Sequence, residues 1–172
     1  KTTNMSEESP KEYLVTLHQY DLSNGMAAAL SQQLTGKFFP GIWHTGIVVY
    51  GREFFFGGGI FDDFPSQTPY GTPVKVINLG KTQIPENVFR EFIESIKPRF
   101  RMQDYNLLTH NCNNFTNEAC QFLLSKGIPQ EIIDLPNEFL STPLGVSLRP
   151  MIEQQTAKMN QMHAQQSIQY SN

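Results

Sequence analysis

The stretch Tyr105-Asn-Leu-Leu-Thr-His-Asn-Cys-Asn-Asn-Phe-Thr-Asn-Glu-Ala-Cys-Gln-Phe-Leu-Leu124 changes character at its middle. Up to Asn111 it is a polar loop. From Cys112 onward Phe115, Ala119, Phe122 and Leu123 recur at helical spacing, so this segment must bury one face of a helix against the rest of the chain. Gly127 is the expected cap of that helix, with Pro129 beyond it. A thiol at the entrance of a helix meets unpaired N–H groups and the positive end of the helix dipole, and both favour the thiolate. Asn113, Asn114 and Thr116 add polar groups beside it, and the backbone N–H of Cys112 is itself a donor for an oxyanion.

Elements upstream supply what the helix can pack on. Tyr13–Tyr20 reads as a strand, Asp21–Gly25 as a turn and Met26–Leu34 as a short helix. Three strand-like runs follow the loop Thr35–Gly41: Trp43–Tyr50, Arg52–Phe56 and Val74–Leu79. Tyr50–Glu53 reads as a hairpin turn. Gly57–Gly59 ends the second of these runs and permits unusual backbone angles. Phe61–Pro73 reads as loop. Val88, Phe89, Phe92, Ile93 and Ile96 make Ile84–Ile96 an amphipathic helix, with Pro85 in its first turn and Pro98 at its end. A short helical turn at Gln130–Asp134 and a compact run, Leu135–Leu144, follow.

The chain has 172 residues, enough for one domain that buries a real core. Residues 1–11 are polar and aperiodic and read as a flexible arm. Residues 12–150 form the domain. Residues 151–172 are rich in Gln, Asn, Met and Ser and read as a frayed helix or a disordered tail. A net charge of -3 argues against a nucleic-acid binder. No apolar run is long enough to span a membrane, and the first residues do not resemble a signal peptide. The two cysteines, Cys112 and Cys120, are eight residues apart. On one helix that is about 12 Å, beyond the roughly 7 Å a disulfide tolerates. Two free thiols fit a reducing compartment, cytoplasm or nucleus.

A nucleophilic cysteine needs a base, and four histidines compete. His44 stands at the mouth of a strand beside Trp43, with Gly46, Val48 and Tyr50 expected on its face. Gly46 leaves space beside the ring for a packed partner such as a helix end. The residues alone leave His44 as either a base or an ordinary strand histidine. His110 is the main rival, although two residues from the thiol is awkward for proton transfer. His18 can face core or solvent, and His163 lies in the tail. Cys120, flanked by Ala and Gln, reads as core. His44, His110 and Cys112 could be imagined around a metal, but no metal-ligand spacing supports it, and no cofactor is expected.

Four segments carry a family resemblance: Trp43–Tyr50, Glu53–Ile60, Tyr105–Glu118 and Leu135–Gly145. In that order they resemble the PPPDE peptidases, and among them the desumoylating isopeptidases of the first type. The likeness runs from about Tyr13 to about Pro150. It implies an α+β fold, a circularly permuted papain-like cysteine peptidase with an antiparallel sheet packed with helices. It implies Cys112 as nucleophile and His44 as general base, with the chain order reversed by the permutation and no third acid required. Asp62 and Asp63 read as loop charges. The implied substrates are proteins conjugated to SUMO or ubiquitin, and the resemblance extends to homodimers with a groove between subunits.

On this resemblance the expected activity is a cysteine isopeptidase. A modifier's glycine tail would enter a narrow channel lined by Trp43 and by Gly57 and Gly58, with Asn111 and Asn113 as further binding residues. Two alternatives stay open. A protein thioesterase would use the same two residues with a greasy channel in place of a glycine slot. A non-catalytic module would keep the fold and use the groove for docking.

Overall fold

The computed structural model describes residues 9–169, with side chains through residue 162. Residues 1–8 of the expected arm, residues 170–172 and the side chain of His163 lie outside the described residues. Among the described residues the chain is α+β. Five strands form one antiparallel sheet: β1 (Tyr13–Asp21), β2 (Trp43–Val49), β3 (Arg52–Phe56), β4 (Ile60–Asp63) and β5 (Lys75–Thr82), in the order β4-β3-β2-β1-β5. The helices are α1 (Met26–Thr35), α2 (Glu86–Ile96), α3 (Cys112–Leu124), α4 (Gln130–Leu140) and α5 (Pro143–Gln169).

Strand alternation divides the sheet into two faces. Val15, Leu17, Ile47, Val49, Phe54, Phe56 and Leu79 bury one face in a common core with Phe89, Ile93 and Ile96 of α2 and Phe115, Ala119, Cys120 and Leu123 of α3. The other face carries His18 and Tyr20 of β1, whose register partners on β2 are Gly46 and His44. Glu53 of β3 pairs opposite Val48. The segment between β4 and β5 lies over this second face, with Ser66 and Tyr70 reaching Glu53 and His44.

Several expectations change in detail. Phe61–Asp63, read as the start of a loop, forms with Ile60 a strand, Ile60–Asp63, paired with β3. Tyr50 leaves the His44 face. It and Gly51 adopt positive φ (54° and 73°) in the two-residue turn between β2 and β3, a backbone that matches strand twist. That turn points the Tyr50 ring at Tyr13 and Phe89 on the core side. Pro85 precedes α2 as its N-cap, and Val88 is exposed while Phe89, Ile93 and Ile96 are buried. Ser125, not Gly127, takes the left-handed conformation that ends α3. Gly127 instead lets Asn117 approach: a Cβ there would lie 2.5 Å from Asn117 Oδ1, which accepts from the Ile128 N–H. Gln130–Leu140 is one helix that carries Pro136 inside it. α5 continues without interruption past residue 150.

Candidate active site

Asn111 starts α3. Its side chain accepts from the N–H groups of Asn113 and Asn114, while Asn114 Oδ1 accepts from the Asn111 N–H at 2.8 Å. Two asparagines thus perform the reciprocal capping more often made by Ser or Thr with Glu. Asn111 Nδ2 also donates to the Leu107 carbonyl. Asn106 and His110 close the preceding loop with two backbone hydrogen bonds of 2.9 Å. Cys112 is therefore fixed as the first residue of the helix.

The first turn of α3 is tied to β2 on both sides of His44. Asn113 Nδ2 donates to the Trp43 carbonyl at 2.9 Å, and Asn113 Oδ1 accepts from the Thr45 hydroxyl at 2.7 Å. The Thr116 hydroxyl donates to the Thr45 carbonyl at 3.1 Å. Asn111 and Asn113, expected as binding residues, are buried and make these internal bonds.

His44 is 1% exposed. The ring of Tyr70 stacks on it with centroids 3.4 Å apart and planes 18° apart, and Tyr20 and Phe55 close two further sides. Its Nε2 is buried and meets no hydrogen-bond partner among the described residues. Desolvation pushes the imidazole pKa down to about 3, against the pull of the Glu53 carboxylate. The space beside Gly46 is filled by Glu53 and not by a helix end: a Cβ at Gly46 would lie 2.5 Å from Glu53 Oε1.

Cys112 is also buried, at 4% exposure. Burial pushes its thiol pKa up. The amide of Thr45, the Tyr105 hydroxyl and the amides of Asn113 and Cys112 itself pull the other way. Helix position alone suggested a thiolate, but the dryness of the site outweighs the donors. Burial thus works against charge on both groups, raising the thiol and lowering the imidazole. Tyr70 connects the two: it stacks on His44, and its hydroxyl is pushed up in pKa by burial first and then by its closeness to the Cys112 sulfur, where a thiolate would oppose ionisation of the phenol.

The remaining candidates separate cleanly. His110 stacks on Phe100 at 4.4 Å and its Nε2 lies 2.7 Å from the Arg99 carbonyl, so it belongs to the core side. His18 sits 3.4 Å from Glu53. Cys120 is fully buried in the core and its thiol is pushed up to about 11 by burial. Asp62, read as a loop charge, is paired with Arg52 at 2.7 Å. Among the described residues no three His, Cys, Asp or Glu side chains gather to hold a metal ion, and no helix is long and apolar enough to cross a membrane.

Two clefts flank Tyr105. One, of about 400 Å³, is lined by Cys112 and Trp43 together with Leu22, Met26, Leu30 and Phe139. The Trp43 ring lies over Gly41, where a Cβ would meet it at 2.3 Å. The other, of about 570 Å³, is lined by Gly57 and Gly58 with Met102, Met151 and Met159. Trp43 and the two glycines therefore line different clefts, with Tyr105, Leu107 and Ile152 shared as the wall between them. Glu53, Tyr70 and Tyr105 are the site residues the sequence did not reveal. The one available signal was a charged residue in the apolar run Arg52–Phe56 together with a glycine, Gly46, in the neighbouring strand, whose open space the Glu53 side chain fills.

Known proteins match this chain in sequence. The PPPDE putative peptidase domain matches residues 13–153. Desumoylating isopeptidase 1 of Homo sapiens is 49% identical over 148 residues, covering 85% of this chain and 88% of that protein. Desumoylating isopeptidase 1 of Xenopus laevis is 45% identical over 149 residues, 86% and 88% of the two chains. DeSI-like protein sdu1 of Schizosaccharomyces pombe is 32% identical over 123 residues, 67% of this chain and 60% of that one. The match runs from the first strand into α5 and takes in every element that carries His44, Glu53, Tyr105 and Cys112; the chain belongs to the PPPDE peptidase family.

Proposed function

We propose that this protein is a cysteine isopeptidase that removes SUMO, or a related ubiquitin-like modifier, from lysines. One observation supports it above the others. The first turn of α3 is stitched to β2 at Trp43 and Thr45, with the Cys112 sulfur in the field of the Thr45 amide and the unpartnered Nε2 of His44 one residue away along the strand. A buried nitrogen without a partner is costly, and a hydrogen bond from a thiol would satisfy it and set up the proton transfer.

In the proposed reaction the Cys112 thiol gives its proton to His44 as the sulfur bonds to the isopeptide carbonyl carbon. The tetrahedral oxyanion is met by backbone donors at the helix entrance, the Cys112 N–H among them. His44 then returns the proton to the departing lysine amine. Water, deprotonated by His44, attacks the thioester and releases the modifier's carboxylate and the free thiol. Conjugates of the cytoplasm or nucleus and a homodimeric enzyme belong to the same proposal, and the two free thiols accord with a reducing compartment. The test is cleavage of SUMO and ubiquitin conjugates by the parent, Cys112→Ala, His44→Ala and Cys120→Ala. Cys112→Ala is expected to abolish cleavage and His44→Ala nearly so, with Cys120→Ala mostly active. Full activity in Cys112→Ala overturns the assignment.

A second reading has its own observation. The cleft that Cys112 lines is walled chiefly by apolar side chains, among them Leu22, Met26, Leu30, Leu34 and Phe139. That lining suits an acyl chain, and the same two residues would hydrolyse an acyl thioester. Parallel assays of acyl-thioester and isopeptide substrates separate the two.

A further inference from the structure

Glu53 is buried, charged and unused by the chemistry above. A carboxylate taken out of water costs several kcal/mol unless its surroundings compensate. Here they do. The Tyr20 hydroxyl donates to Oε1 at 2.6 Å, the Ser66 N–H donates to Oε2 at 2.8 Å, and His18 Nδ1 lies 3.4 Å from Oε2. Those donors hold the Glu53 carboxyl below the usual range despite its burial. The arrangement is built into the sheet. Tyr20 is the register partner of His44, and His18 of Gly46. Gly46 has no side chain, and the carboxylate occupies the space one would fill. Gly46 and His44 share a face of β2, two residues and so about 6.6 Å apart along the strand.

We infer that Glu53 is a positioning residue for the Cys112–His44 pair: its buried negative charge stabilises the imidazolium that forms when Cys112 surrenders its proton. His44 rests neutral in a dry pocket, so the unfavourable moment of the reaction is the one at which it becomes a cation. A fixed anion nearby lowers that cost without needing to reorganise. The titratable groups set against His44 are Tyr20 on β1 and Tyr70 on the segment over the sheet, with Glu53 on β3 acting through space. His18 on β1 faces Glu53, and Cys112 on α3 lies at the neighbouring Thr45 amide. Asp63 of β4 pairs opposite Glu53. Glu53 is the one whose negative charge raises the His44 pKa.

This inference rests on His44 as proton acceptor for Cys112, and its test needs no modifier. In a Cys120→Ala background, iodoacetamide alkylation of Cys112 is timed across the acid to mildly alkaline range. Glu53→Gln is expected to slow alkylation at neutral pH about tenfold, equal to one pKa unit, and to move the rate profile to higher pH. Tyr20→Phe removes a neutral hydroxyl and leaves the charge, so at least about a third of the parent rate should remain (~0.7 kcal/mol of the same scale). A folded Glu53→Gln protein with the parent profile overturns the inference. So does a Tyr20→Phe loss as large as that of His44→Ala, a result that still decides the matter if Glu53→Gln does not fold. If His44→Ala itself alkylates at the parent rate, the two-residue mechanism falls and this inference with it. If His44→Ala is slow and Glu53→Gln is not, only the inference falls.

Discussion

The ring of Tyr70 lies flat on the imidazole of His44, with 3.4 Å between centroids. Tyr70 belongs to a segment without regular structure, yet it is what seals the histidine from water on that side. Truncation to Ala should admit solvent and let the His44 pKa rise from about 3 toward its ordinary value. Histidine ring NMR through a pH titration reads this directly. The same variant should lose about 2–3 kcal/mol of stability, since a half-buried aromatic is removed. A His44 titration that does not move would show that Tyr70 is not what keeps the ring dry.

Acid should weaken the fold through the same residue. The folded-state pKa of His44 lies below its unfolded value of 6.5. Above the unfolded value both states are neutral and nothing is lost. Between 6.5 and about 3 the unfolded chain binds a proton that the native state refuses, so stability falls as pH falls. The slope is about 1.4 kcal/mol per pH unit for that one proton. Glu53, whose carboxyl is held low, adds to the loss only at the acid end, as its native carboxylate must be protonated. Urea unfolding of the parent and of His44→Gln across this window should show the parent steeper by close to one proton. Parallel curves would mean that the native protein accepts the proton after all.

How much of this could be read from residues depends on whether the cause was local. The entrance to α3, the strand carrying His44 and the two amphipathic helices follow from spacing, and the structure has them where the spacing put them. The upward push of burial on the thiol did not follow. A helix N-terminus is visible in sequence, whereas the burial that overrides it comes from packing against elements distant in the chain, among them β2, which is tied to the first turn of α3. Glu53 was hidden for a similar reason. A glutamate within Arg52–Phe56 looks like an outward strand position until β1 and the Ser66 segment bring donors over it. That Trp43 and Gly57–Gly58 line separate clefts was not legible either, because Tyr105 and Leu107, distant from both in the chain, line the two in common. Ser125 ends α3, and Gly127, two residues on, serves instead the close approach of Asn117, a contact that spacing does not show.

Asn113 should be costly to lose. Asn113→Ala leaves the Trp43 carbonyl without its side-chain donor and the Thr45 hydroxyl without its acceptor, both beside His44. Each stranded group costs about 1–2 kcal/mol, so about 2–4 kcal/mol in all is expected from chemical denaturation. Activity should fall further than stability explains, because the same bonds set the distance between α3 and β2. Asn113→Asp restores an acceptor for Thr45 and removes the donor to Trp43, and should recover only part of the stability. An Asn113→Ala protein as stable as the parent would mean that water replaces both bonds.

Gly46 tests whether the Glu53 pocket is as tight as its geometry. A methyl group at 46 would sit 2.5 Å from Oε1 and 2.8 Å from Cγ of Glu53, inside any real contact distance. The strand geometry at Gly46 is ordinary, since its φ is not among the positive ones, so crowding alone is at issue. Glu53 cannot swing away easily, because Tyr20 and Ser66 hold both carboxylate oxygens. Gly46→Ala should therefore cost about 1–3 kcal/mol through overpacking. It should also lower conjugate cleavage by pushing the carboxylate off its donors. Combining it with Glu53→Asp, which shortens the side chain by one methylene, should return part of the stability lost by the single change. Strict additivity of the two changes in a double-mutant cycle would show that the residues do not press on each other.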